Sequence, residues 1–148
     1  MTKRILVVED QEDNRQILRD MLASTDYEMT GAEDGEQALD RLERVKVDLV
    51  ISDVYMPVMD GFKFHKAVRA NPKFETLPFL FVSAYDDQYT MEAVKDPRFD
   101  GFVRKGRPFL EIREWIAYLT APDDLRANLV PGSRQGIEGR SESKSHTT

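Results

Sequence analysis

Five short apolar runs, at residues 5–8, 27–32, 49–52, 79–83 and 101–105, alternate with segments whose apolar residues recur at helical spacing. Four of the runs are continuous, which suits central strands covered on both faces. Tyr27-Glu28-Met29-Thr30 alternates instead, as an edge strand does. Ile17, Leu18, Met21 and Leu22 mark a first helix stripe, with Asp13 or Asn14 an adequate N-cap. Ala38, Leu39 and Leu42 mark a second after Gly35, and Phe64, Ala67 and Val68 a third that ends at Asn71-Pro72. A fourth helical segment, 87–94, stops at Asp96-Pro97, and Phe109, Ile112, Ile116 and Leu119 give the last helix. Strand–helix alternation repeated five times predicts an α/β fold: a parallel sheet with right-handed crossovers and helices on both faces.

At 148 residues the chain is long enough for one domain with a substantial core. Its net charge of −6, from 21 basic and 27 acidic residues, lacks the basic stripe that direct nucleic-acid binding requires. There is no cysteine, which excludes disulfides and thiolate metal sites and fits a reducing compartment. No apolar stretch approaches a transmembrane span, and the N-terminal run is too short for a signal peptide. The expectation is a cytoplasmic protein without membrane insertion.

In a parallel sheet of this kind ligands gather at the carboxyl ends of the strands. Four runs end there in polar residues: Glu9-Asp10, Asp53, Ser83 and Lys105. Taken singly, each has an ordinary reading: a helix cap, a turn residue or a solvated charge. Taken together they form a site. Three converging carboxylates repel one another and need a proton or a cation. An all-oxygen cluster suits a hard octahedral ion that keeps its waters, which is Mg²⁺. Asp53 is then placed to attack phosphorus and form an acyl phosphate, Lys105 to pair with the transferred group, and the Ser83 hydroxyl to donate to one of its oxygens.

The stretch Asp53-Val54-Tyr55-Met56-Pro57-Val58-Met59-Asp60-Gly61 resembles the phosphoacceptor loop of the receiver domains of bacterial two-component response regulators. Arg4-Ile5-Leu6-Val7-Val8-Glu9-Asp10 is similar to that family's acidic strand end, and Gly35-Glu36-Gln37-Ala38-Leu39 to its second helix. The likeness covers about residues 3 to 120. It implies a flavodoxin-like, doubly wound five-stranded parallel sheet of order 2-1-3-4-5. It also implies that Asp53 accepts a phosphoryl group from a phosphohistidine on a sensor histidine kinase or phosphotransfer protein. By the same resemblance Asp10, Asp53 and the Tyr55 carbonyl bind Mg²⁺ directly, with Glu9 acting through a water. Ser83 follows the phosphoryl group, Phe102 rotates with it, and Lys105 bridges to it. Such a protein changes its affinity for a downstream protein, can form a homodimer through the fourth helix, fifth strand and fifth helix, and catalyses only its own phosphorylation and slow dephosphorylation.

Three departures from the family pattern stand out. Gly106 replaces the Pro that follows the lysine in a cis bond. Phe102 stands where Tyr is common, and Asp96-Pro97-Arg98-Phe99 replaces small residues before the last strand. Tyr55 and Tyr85 stand two residues beyond Asp53 and Ser83, positions that flank the path of attacking water in receiver-like sites; they predict slow self-dephosphorylation, the other reading being that both rings only pack at the rim. Trp115 and Tyr118 are read as either an exposed docking patch or an extension of the core, and His65 as a surface residue.

Two other readings compete. One is a receiver-like binding module that works without phosphate. The other is a haloacid-dehalogenase-like phosphatase, which needs a second Asp where this chain has Tyr55. A nucleotide enzyme is unsupported, because there is no Gly-rich phosphate loop. Residues 1–121 are read as the receiver domain and 122–148 as a flexible tail. Ile137-Glu138-Gly139-Arg140 resembles a factor Xa site and Gly132-Ser133 a cloning junction, so the native chain is expected to end near Pro131.

Overall fold

A computed structural model describes residues 2–84, 94 and 96–131. The apolar runs form β1 (Arg4–Val8), β2 (Glu28–Ala32), β3 (Leu49–Ser52), β4 (Phe79–Ser83) and β5 (Asp100–Arg104). The helices are α1 (Glu12–Ala23), α2 (Gly35–Arg44), α3 (Gly61–Ala70), α4 (Phe109–Thr120) and the short α5 (Asp123–Arg126). All pairings are parallel and the strand order is β2-β1-β3-β4-β5, the expected flavodoxin-like arrangement. The helical segment read at 87–94 lies outside the described residues, Val94 excepted.

Successive strand residues point to opposite faces, so one sheet builds two cores. Leu6, Val8, Val50, Phe79, Phe81 and Phe102 pack against Phe64 and Val68 of α3 and Leu42 of α2. Ile5, Val7, Ile51, Leu80 and Val103 pack against Leu22 of α1 and Ile116 and Leu119 of α4. Each such side chain, fully buried, contributes roughly 1.5–3 kcal/mol, which is why the continuous runs locate the sheet. Asp34 and Asp60 cap α2 and α3, accepting from the N–H of Gln37 and Lys63 at 2.9 Å each. Helix α1 starts differently. Gln11 is its N-cap and makes no side-chain capping bond, so neither Asp13 nor Asn14 caps it.

Several sequence expectations are corrected. Continuous apolar character suggested a central position for the fifth run, yet β5 is an edge strand; both its faces are covered, and that is what its composition reports. Ile17 belongs to the α1 stripe by spacing but is half exposed, because the helix turns Leu22 rather than Ile17 onto the sheet. Trp115 and Tyr118 are buried in the second core and stack edge to face at 6.0 Å, which removes the exposed-patch reading. The chain beyond Pro122 is not simply a tail. Through Leu129 it forms two helical turns, with Arg126 buried, donating from Nε to the Tyr118 carbonyl at 3.2 Å and lying over the Tyr118 ring at 4.9 Å. Residues 132–148 lie outside the described residues.

His65 is the plainest correction. It is buried, with its ring 4.8 Å from that of Phe79, and Nε2 lies 2.9 Å from Asp100 Oδ1. Ionised Asp100 only accepts, so Nε2 carries the proton. Arg69, one turn further along α3, donates to the same oxygen at 2.6 Å, and the Asp96 N–H reaches Oδ2 at 3.3 Å. A carboxylate 2% exposed is thus tied to α3, which packs on the same face of the sheet. Burial alone raises its pKa, but the hydrogen bonds and charges of His65 and Arg69 prevail and hold it below the usual carboxylate value.

Asp100→Asn is expected to cost about 3 kcal/mol in urea unfolding at neutral pH, because Arg69 and His65 lose their anion and an amide meets the Asp96 N–H. A depressed folded pKa gives stability that is fully present above the unfolded value of 3.8 and lost as pH falls through the folded one. The gap between wild type and variant is therefore expected to persist down to that value and close below it.

Candidate functional site

The acidic strand ends adjoin because β1 and β3 are neighbours. Val8 pairs with Ser52, and the Asp53 N–H donates to the Val8 carbonyl at 3.0 Å. One oxygen from each of Glu9, Asp10 and Asp53 can be drawn within 4.8 Å of the others. Glu9 and Asp53 are buried and Asp10 is half-buried, so the cluster is open to solvent at Asp10.

Lys105 lies just past β5, two strands from Asp53. Its N–H donates to the Ser83 carbonyl at 2.8 Å, which continues the β4–β5 ladder one residue past the strand. The ammonium then reaches Asp53 Oδ2 at 2.7 Å and Glu9 Oε2 at 3.3 Å. Ser83 is fully buried at the end of β4, on the face that carries Phe81, and Phe102 is Phe81's register partner on β5. Asp53, Glu9, Asp10, Ser83 and Lys105 are thus gathered at one end of the sheet, as their positions in the sequence implied, while Phe102 sits in the middle of β5. Tyr55 is partly exposed, its ring edge-on to Phe62 at 6.4 Å, and Tyr85 lies outside the described residues.

Asp53 is held at each oxygen. Oδ1 accepts the Val54 N–H at 2.7 Å and Oδ2 accepts Lys105. The loop returns at once to Gly61, whose N–H bonds the Val54 carbonyl at 2.6 Å. A β-carbon on Gly61 would collide with the Asp53 carbonyl and Val54 Cα, so only glycine lets α3 start this close to the loop after Asp53. Gly106 adopts φ +88° with open space around it, a left-handed turn in place of a cis proline; no cis peptide occurs among the described residues.

Sequence reasoning missed how Glu9 is held. Asn14 Nδ2 donates to Oε1 at 3.0 Å and Arg15 Nη1 to the Glu9 carbonyl at 2.5 Å. Asn14 was read only as a possible cap, and no local pattern distinguishes the two roles. A cavity of about 300 Å³ opens beside these residues, between α1 and α4, lined by Ile17, Leu18, Met21, Ile112 and Lys105 among others.

The donor set fits Mg²⁺: three carboxylates, no nitrogen or sulfur, and an opening to solvent at Asp10. Glu9, Asp10 and Asp53 would hold the ion. The electrostatics agree with a shortage of positive charge. Burial raises the Glu9 pKa, and Asp53 raises it further, against the opposing pull of Asn14 and Lys105. Burial lowers that of Lys105, but its bonds to Asp53 and the charges of Asp53 and Glu9 outweigh it and leave the value raised.

A carboxyl whose folded pKa is raised subtracts from stability once the pH exceeds its unfolded value of 4.5. Glu9→Gln is therefore expected to raise the metal-free melting temperature at pH 7 and to leave it unchanged below that value. A lower melting temperature at pH 7 would contradict the desolvation cost assigned to Glu9.

Comparison with known proteins agrees with this geometry. The response regulator receiver domain family matches residues 5–117. An uncharacterized 14.6 kDa protein of Leptolyngbya boryana is 40% identical over 108 residues, covering 73% of this chain and 82% of that one. The response regulator PleD of Caulobacter vibrioides is 30% identical over 141 residues, 93% of this chain but 31% of PleD. The structure of the response regulator TrrA of Thermotoga maritima, in complex with Mg²⁺-BeF, has a TM-score of 0.68 and 31% identity, covering 79% of this chain and 98% of TrrA. Strand order and family together set aside the haloacid-dehalogenase-like reading. Among the described residues no helix is long and apolar enough to cross a membrane. The chain belongs to the response regulator receiver domain family of two-component signalling.

Proposed function

We propose that this receiver domain is a phosphorylation-controlled switch with Asp53 as its phosphoacceptor. The observation that carries this reading is the Lys105 ammonium, 2.7 Å from Asp53 Oδ2, at a carboxylate cluster open to solvent at Asp10. In the proposed reaction an Asp53 oxygen attacks the phosphorus of a phosphohistidine on a sensor kinase or phosphotransfer protein. The new bond is O–P; the N–P bond breaks, and the imidazole nitrogen leaves with the electron pair and takes up a proton. Mg²⁺, when bound by Asp10, Asp53 and the Tyr55 carbonyl, with Glu9 acting through a water, would supply the charge that offsets the phosphoryl oxygens.

The chain's own groups do the rest. The Val54 N–H fixes the carboxylate's direction, and Lys105 pairs with Asp53 before transfer and with the phosphoryl group after it. Ser83 donates its hydroxyl to a phosphoryl oxygen, and Phe102, on the same face, adjusts with it. The added charge shifts a two-state surface that a downstream protein, or a second copy docked through the segment 87–94, β5 and α4, reads. Relatives named as a sensor histidine kinase and as the response regulator PleD are much longer than this chain; a kinase partner and further domains are, for this chain, part of the proposal.

Acetyl phosphate with Mg²⁺ is expected to add one phosphoryl group, about 80 Da by intact mass, to wild type and none to Asp53→Asn. No gain in wild type would move the phosphate-independent binding module ahead. Tyr55 and Tyr85 are proposed to screen the acyl phosphate from water. Tyr55→Ala is expected to speed loss of the group several-fold, read as the decay of the phosphorylated mass after the donor is removed. An unchanged half-life would leave Tyr55 as a packing partner of Phe62.

A further inference from the structure

Glu9 is gripped at every polar atom. Its N–H donates to the Ala32 carbonyl at 3.0 Å, its carbonyl accepts Arg15 Nη1 at 2.5 Å, and its carboxylate is divided between two donors. Asn14 Nδ2 takes Oε1 at 3.0 Å and Lys105 Nζ takes Oε2 at 3.3 Å. The side chain is 5% exposed. Its three torsions are therefore set from two sides, and Asn14 is the neutral one of the two donors.

Asn14 gains little for the helix it occupies. Asparagine inside a helix is mildly unfavourable, because its side chain competes for backbone groups. Here the Nδ2 donor goes to Glu9, with only a long 3.4 Å approach to Gln11 Oε1 besides. The N-terminus of α1 is left without any side-chain cap while this amide is used elsewhere. An amide has one property that a lysine or arginine at this place would lack. It orients a carboxylate without neutralising it, so the charge that must attract a cation is kept.

We infer that Asn14 is a positioning residue for the cation site, acting through Glu9: it fixes the carboxylate so that its charge is aimed at the ion shared by Asp10 and Asp53. The inference rests on the proposed function, since it presupposes that the three carboxylates hold a divalent ion. Arg15 holds the Glu9 backbone and Asn14 its side chain. Consecutive residues of α1 thus transmit the placement of that helix to the acidic strand end. Groups beyond the ligands commonly govern metal affinity in this way.

The test uses Mn²⁺ as the probe, with bound ion counted from the loss of its free electron-paramagnetic-resonance signal. Asn14→Ala is expected to weaken Mn²⁺ binding about tenfold. In a Glu9→Gln background the same substitution should have no further effect on Mn²⁺ affinity, because the group it acts through is gone. Far-UV circular dichroism checks that each variant is folded. A tenfold loss that persists in the Glu9→Gln background would overturn the inference in favour of a general weakening of α1. Equal affinity of wild type and Asn14→Ala would remove the role of Asn14 and leave the proposed function intact. A wild type that takes up neither Mn²⁺ nor a phosphoryl group would overturn both.

Discussion

The structure turns on like charge held at close range. Glu9, Asp10 and Asp53 are brought together because the order β2-β1-β3-β4-β5 makes β1 and β3 neighbours. Nothing in hydrophobic burial favours this; two of the three carboxylates are buried, and burial opposes their charge. The compensation comes from Lys105, which starts two strands away, roughly 10 Å at the usual strand spacing. The bond from the Lys105 N–H to the Ser83 carbonyl continues the β4–β5 ladder one residue past β5 and fixes the backbone from which the ammonium reaches Asp53. The residue proposed to sense the phosphoryl group therefore also supports the main chain of the residue that neutralises it. Ser83 and Lys105 are thus joined by a backbone bond, and Lys105 and Asp53 by an ion pair.

The opposite end of β5 is anchored by a different kind of polar cluster. Asp100 accepts from His65 and Arg69 of α3, and its second oxygen takes the Asp96 N–H, so the strand begins at a satisfied buried anion. Among the described residues no buried side-chain nitrogen or oxygen lacks a hydrogen-bond partner. The two clusters differ in what they leave open. Asp100 is 2% exposed and its charge is matched by a guanidinium and an imidazole within the protein. The Asp53 cluster has one ammonium for three carboxylates and a side open to solvent. The first is complete as it stands and serves stability. The second is deficient in positive charge, which is the condition for taking up a cation.

The sheet and the site were legible in the sequence for the same reason. Strands buried on both faces read as unbroken apolar runs, and a charged residue that ends such a run is displayed at the sheet's carboxyl edge; Asp53 after Leu49–Ser52 is the clearest case. Pairings between side chains on different elements leave no such trace. His65 and Asp100 are 35 residues apart, and neither looks unusual locally, so a buried histidine passed for a surface one. Asn14 stood where a cap was expected, and only the direction of its amide shows that it serves Glu9 instead. Arg126, in a segment that composition marks as a tail, is buried because Tyr118 and Phe99 offer ring faces and Tyr118 a carbonyl. Periodicity reports how much apolar surface an element hides; it does not report which polar atom meets which.

Gly106 shows how a departure from a family pattern can be absorbed. A proline in a cis bond after the lysine restrains the loop covalently; glycine removes that restraint and here turns at φ +88°. Lys105 nonetheless has its position set from the residues before it, by β5 and by the N–H bond to Ser83. Beyond the glycine, the Arg107 N–H donates to the Arg104 carbonyl at 3.3 Å, and Arg107 Nε meets Glu111 Oε1 at 2.9 Å in the first turn of α4. Both contacts are exposed and each is worth little alone. Their effect is geometric, since they close the turn between the strand and the helix on the far side of the residue that lost its restraint. The substitution therefore acts on the shape of the β5–α4 loop, while the ammonium at Asp53 keeps its place.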